Sequence, residues 1–114
     1  NEDEVIDVLS DFNIQPVNLS QMSLRRQIQL FHNSEVVVAP HGAGLIIIIY
    51  ADKLKILEIF GKKVIPIYYM LSTALGLDYR YMQSLNIQPT HEDLRGDNII
   101  IDKTRFRRTL SAML

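Results

Sequence analysis

One stretch constrains this chain more than any other: Val36-Val37-Val38-Ala39-Pro40-His41-Gly42-Ala43-Gly44-Leu45, followed by four isoleucines. The β-branched run at residues 35–39 has the pattern of a strand covered on both faces. It stops at a proline, a histidine and two glycines. The next apolar run, residues 55–60, starts far enough on for a parallel crossover, which needs about a dozen residues. Residues 45–50 therefore read as a short buried helix, although propensity alone favours a strand there. In open α/β sheets, ligands bind at the carboxyl end of a strand, where such a junction lies. Gly42 and Gly44 lack a Cβ and let a ligand come close to the backbone. The amides that open the next helix point outward unpaired and favour an anion. The stretch reads as a diphosphate cradle, and the plain alternative is a tight strand-to-helix turn with no ligand.

The remaining pattern alternates helix and strand. Val5, Ile6, Leu9 and Phe12 have helical spacing over residues 2–12, with Asn13 as a stop. Residues 16–19 read as a short extended piece, an edge strand given its proline. Ser20 or Ser23 caps a second helix, on which Leu24, Ile28 and Phe31 form one stripe. Residues 55–60 form a strand closed by Gly61. Pro66 opens a helix with Ile67, Met70, Leu71, Ala74 and Leu75 on its inner face and Gly76 as its cap. Residues 78–82 and 98–101 read as strands, and residues 84–97 as polar and irregular. Asp102 caps a last helix with Phe106, Leu110 and Met113 on one face. The expected fold class is α/β: a single Rossmann-like three-layer domain over residues 1–114, with a mostly parallel sheet.

Composition narrows the function. The chain has 114 residues, 47% of them hydrophobic and 22% charged, which suits one globular domain. A net charge of -1 gives no basic face for nucleic acid. The chain contains no cysteine, so it carries no disulfide, thiolate zinc site or cysteine nucleophile. That fits a reducing compartment. The acidic start, Asn1-Glu2-Asp3-Glu4, is not a signal peptide, and the longest apolar stretch is too short to span a bilayer. The first residue already lies inside an element, as expected of a fragment of a longer protein.

Two residues stand out for chemistry. His41 lies at a helix start, where the neutral ring is favoured as a polariser or hydrogen-bond donor; its other reading is to hold the loop in shape. Glu58 interrupts an apolar strand, and a buried carboxylate needs partners. Ribose hydroxyls would serve, as in dinucleotide-binding folds. The alternatives are a lysine, Lys55, Lys62 or Lys63, or exposure at the strand's end. Arg105, Arg107 and Arg108 read as a solvated face. His32 and His91 read as surface residues without metal-ligand spacing.

The run Gln27-Ile28, Leu30-Phe31, Val36-Val37-Val38, Pro40-His41-Gly42-Ala43-Gly44-Leu45 and Leu57-Glu58-Ile59-Phe60 resembles glycosyltransferase family 61, as does Ala74-Leu75-Gly76-Leu77-Asp78-Tyr79. The resemblance spans residues 23–82. It implies the C-terminal, donor-binding half of a GT-B type transferase that inverts the anomeric centre and works without a metal or other cofactor. The donor would be a nucleotide-diphosphate sugar, most often a UDP-sugar. His41, Gly42, Ala43 and Gly44 would face the diphosphate, and Glu58 the ribose. The N-terminal acceptor domain would be missing, and this chain alone would not turn over. A bacterial cytoplasmic role in polysaccharide or capsule assembly is expected ahead of a Golgi or ER one. The sequence departs from the family at Ile46 and Ile47, where a polar pair, often Thr-Asn, is usual.

Two other readings compete. His-Gly-Ala-Gly resembles the oxyanion loop of α/β-hydrolases, but the Gly-x-Ser-x-Gly nucleophile elbow is absent. A degenerate Rossmann-like module that binds a nucleotide weakly, or scaffolds a partner, is the other.

Overall fold

The structure is a computed structural model that describes residues 1–85 and 99–114. His91 and Asn98 lie outside the described residues. The described residues fall into two compact units.

The first unit comprises residues 1–17, 61–63 and 83–114. Helices α1 (Glu2–Asp11) and α4 (Lys103–Met113) pack together within it. Glu2, Asp3 and Glu4 occupy the first turn of α1, where negative charge complements the helix dipole. Asn13 turns into the left-handed region at φ 59° and ends that helix, a conformation asparagine tolerates. Asp102 caps α4 by accepting from the amides of Thr104 at 3.0 Å and Arg105 at 3.3 Å. Phe106, Leu110 and Met113 are buried along one face, as their spacing requires. Asn1 ties the start of α1 to the entry of α4: its amide nitrogen donates to the Ile101 carbonyl at 2.7 Å, and its oxygen accepts from the Ile101 amide at 3.0 Å. Arg105, Arg107 and Arg108 are exposed. Residues 99–101 do not form the expected strand. Ile100 instead pairs with the Ser84–Leu85 turn, its carbonyl accepting from the Leu85 amide at 2.8 Å and its amide donating to Ser84 Oγ at 2.8 Å.

The second unit, residues 18–60 and 64–82, carries the sheet. Strands β1 (Val36–Pro40), β2 (Lys55–Phe60) and β3 (Asp78–Gln83) lie in the order β1-β2-β3. β1 and β2 are parallel, in register from Val36 opposite Lys55 to Pro40 opposite Ile59. A 3-10 helix, Ala43–Tyr50, makes the first crossover, and α3 (Ile67–Leu75) lies between β2 and β3. The unit is Rossmann-like α/β with a three-stranded parallel sheet. Helix α2 (Leu24–Asn33) packs on the 3-10 helix and is capped by Ser23 Oγ, which accepts from the Arg26 amide at 3.2 Å.

Three expectations need correction here. Residues 16–19 form no strand; Asn18 Oδ1 accepts from the Ser20 amide at 3.1 Å and draws Leu19–Gln21 into a 3-10 turn. β1 is not covered on both faces: Val36 to Ala39 are half-buried, because β1 is the outer strand, and β2 is the one buried from Ile56 to Phe60. The inner face of α3 is Tyr68 and Ser72, while Ile67, Met70, Ala74 and Leu75 are exposed and Leu71 is half-buried. That helix is apolar almost all round, so its pattern does not point in one direction. The isoleucine run is helical as expected, with Leu45 and Ile48 buried against Leu54, Ile56 and Tyr68 and Ile47 buried as well, but Ile46, Ile49 and Tyr50 face outward.

Gly76 closes α3 in the left-handed conformation at φ 72°, and the Leu77 amide returns to the Ser72 carbonyl at 2.9 Å. Ser72 itself is fully buried, and its Oγ has no hydrogen-bond partner. Ser72→Ala is therefore expected to raise stability by about 1 kcal/mol, since an unsatisfied buried hydroxyl is removed and alanine is the better helix former. Urea denaturation measures this; a lower midpoint in the variant would show that the hydroxyl is bonded after all.

Candidate functional site

Parallel pairing sets the site. The His41 amide donates to the Ile59 carbonyl at 2.8 Å and carries the ladder one residue past Pro40. Ala39 stands opposite Glu58 in the register. Alternation along β2 puts Ile56, Glu58 and Phe60 on one face. The His41 ring stacks on Phe60 with centroids 5.3 Å apart and leans on Tyr68 at 5.6 Å. Its Nδ1 lies 2.6 Å from Glu58 Oε2. The Tyr79 hydroxyl, from β3, donates to Glu58 Oε1.

Glu58 is fully buried, and each of its oxygens takes a donor. A carboxylate in an apolar interior requires such satisfaction. Its partners are His41 and Tyr79 rather than a lysine, and it is not exposed at the strand's end. A ribose contact would need the carboxylate to be uncovered. Because Glu58 accepts, the proton of a neutral His41 sits on Nδ1. Among the described residues, Nε2 has no hydrogen-bond partner. Among the described residues the one buried side-chain polar atom without a partner is Ser72 Oγ, so Nε2 reaches solvent. The side chain of His41 is 26% exposed. Outward, the neutral ring offers a lone pair; the donor role expected of His41 belongs to its doubly protonated form.

The glycine loop lies beside this imidazole. Gly42 is extended, with φ 177°, a conformation open to any residue. A Cβ built at Gly42 meets nothing within 4 Å, and one at Gly44 meets only Leu19 Cδ1 at 3.6 Å. Neither backbone strain nor internal packing calls for glycine at these two positions. Among the described residues, the amides of Gly42, Ala43 and Gly44 have no hydrogen-bond acceptor, whereas the Leu45 amide bonds to the Gly42 carbonyl at 3.2 Å. Ile46 is 47% exposed and Ile47 is buried. A recess of about 300 Å³ lies on α2, lined by Arg26, Gln29, Leu30, Asn33 and Ser34, none of which belongs to the His41 cluster.

Burial, and then the hydrogen bond to Glu58, hold the Tyr79 hydroxyl protonated far above the ordinary 10.0. Tyr68 shifts in the same direction, through burial first and the Glu58 charge second. A raised folded value means that the stabilisation is complete below the unfolded value of 10.0 and is lost as pH rises beyond it. Absorbance at the phenolate band, followed alongside circular dichroism, is expected to show part of the tyrosine signal appearing only as the fold is lost in alkali. Early, complete ionisation with the fold intact would contradict the buried pairing.

Residues 1–56 match the family described as Glycosyltransferase 61. This is the family resemblance drawn from the sequence, and it supports a glycosyltransferase. The glycosyltransferase 61 match takes in β1, His41 and the glycine loop, and it stops two residues before Glu58. No curated protein matches the chain.

His41 and Glu58, singled out in the sequence, meet in the fold. Tyr79 was not anticipated as a site residue. The available signal was an aromatic with a polar tip on the strand after β2, at a position whose side chain shares a face with the core.

Proposed function

We propose that this chain is the donor-binding half of an inverting glycosyltransferase that uses a nucleotide-diphosphate sugar, a UDP-sugar, in polysaccharide or glycan assembly in the bacterial cytoplasm. The observation that carries the reading is the open glycine loop: three amides without acceptors among the described residues, Gly42 facing free space and Gly44 in ordinary contact with Leu19 only, beside an imidazole fixed from behind. Backbone donors placed where charge grows on a leaving diphosphate stabilise the transition state without a metal. Glycine at 42 and 44 is explained by a ligand lying on the backbone. Glu58 enters this chemistry through His41. The acceptor and its binding groups come from a second domain.

Titration of the purified chain with UDP, UMP and inorganic pyrophosphate, followed by amide NMR, tests this. Shifts centred on residues 41–45 with UDP and pyrophosphate, and weaker ones with UMP, are expected. Silence at millimolar UDP would favour the second reading, a scaffold module without nucleotide affinity. The exposed Ile46, where the family has a polar residue, is the feature that favours it.

A further inference from the structure

The ring nitrogens of His41 are not equivalent, and this decides what the residue can hold. Nδ1 is engaged by Glu58 Oε2 at 2.6 Å, and that carboxylate is pinned on its other oxygen by the Tyr79 hydroxyl. A carboxylate with two protein donors, one of them a phenol, is held as an acceptor. Phe60 and Tyr68 flank the ring, so it is gripped on its faces as well as at Nδ1. The groups around it that can carry charge or a titratable proton are Glu58 from β2, Tyr68 from α3 and Tyr79 from β3. None of them supplies Nε2 with a partner.

We propose that Glu58 and Tyr79 are positioning residues that lock neutral His41 with its proton on Nδ1, so that Nε2 receives a hydrogen bond from a ligand hydroxyl and not from a phosphoryl group. In a nucleotide-diphosphate sugar both phosphoryl groups are esterified and fully ionised and have no proton to give to a lone pair, so the diphosphate belongs on the amides of residues 42–44 and the hydroxyl on the imidazole. The ligand half of this inference rests on the reading given under Proposed function; the Glu58–His41 half does not. The hydroxyl comes from the ribose or from the donor sugar, and the ligand series below distinguishes the two.

The first measurement needs no ligand. Nitrogen-15 correlation spectra of the whole chain, at a pH where His41 is neutral, are expected to show it as the Nδ1-protonated tautomer. Glu58→Leu, similar in volume, is expected to return it to a mixture, and Tyr79→Phe to leave the tautomer in place while loosening the ring. A wild-type His41 protonated on Nε2 would overturn the lock, whatever the variants do. The second measurement compares His41→Phe with wild type, since phenylalanine keeps the stacking on Phe60. Affinity for pyrophosphate is expected to stay within twofold, while affinity for the hydroxyl-bearing ligand falls at least tenfold. A fall already seen with UDP assigns the hydroxyl to ribose; a fall seen only with UDP-glucose assigns it to the sugar. An equal loss for pyrophosphate would overturn the hydroxyl assignment. Failure of wild type to bind any of the three would overturn the proposed function and the outward half of this inference, with the tautomer result still deciding the inner half.

Discussion

His41→Ala is expected to lower the stability of the fold by about 3 kcal/mol, because it strips one of two donors from a fully buried carboxylate. Glu58 is fully buried, and Tyr79 alone would then satisfy it. A hydrogen bond to a charged group contributes about 1.5–3 kcal/mol, and the ring stacked on Phe60 is lost as well. The informative comparison is a double replacement. His41→Phe with Glu58→Leu removes the donor and the buried charge together, and replacing a buried polar pair by apolar groups of similar volume is often close to neutral. The double variant is expected to be more stable than His41→Ala by at least about 1 kcal/mol, with the Tyr79 hydroxyl newly left without its acceptor. Denaturant unfolding of wild type, His41→Phe, Glu58→Leu and the double variant completes the cycle. Strict additivity would mean that His41 and Glu58 do not interact, and the site described above would lose its basis.

Gly42→Ala is expected to behave in the opposite way, leaving stability within about 0.5 kcal/mol of wild type, as for a substitution that meets no strained or packed feature. The backbone there is extended, and among the described residues the added methyl group meets no atom within 4 Å beyond its own chain neighbours. Binding of UDP and of pyrophosphate is nevertheless expected to fall at least tenfold, about 1.4 kcal/mol, because the methyl group occupies the space in which a phosphate would approach the amides. Calorimetry of both ligands, next to a melting curve, reads the two effects separately. Unchanged affinity would show that nothing lies on this backbone and that the glycines serve some other end.

Much of the fold was written in local patterns. The stripe Phe106, Leu110, Met113 and the cap at Asp102 are local features that survive in any context. β2 was legible because an apolar run bounded by Gly61 has few alternatives, and the run of isoleucines yielded to a crossover-length argument that propensity would have missed. Helix α3 was harder. In Ile-Tyr-Tyr-Met-Leu-Ser-Thr-Ala-Leu most turns are apolar, so only tertiary packing selects Tyr68 and Ser72 for the interior. At the site, the sequence marks His41 and Glu58 by type, but their meeting across 17 residues depends on strand pairing, and Tyr79 lies a further 21 residues on. Nothing in a local window states which face of β3 reaches which residue of β2. A carboxylate in an apolar run announces that it has partners without naming them, and so ribose stood as a candidate where the fold supplies a phenol and an imidazole.

The alignment of Ala39 with Glu58 carries a kinetic implication. Side chains alternate sides along a strand, so a slip of one residue would turn Glu58 away from the imidazole and bring Leu57 or Ile59 to its place. Mispaired chains would then lose the fixed imidazole and its hydroxyl contact while their backbone amides could still meet a diphosphate. Added nucleotide would therefore favour correctly zipped molecules over slipped ones during refolding, and inorganic pyrophosphate would favour them less.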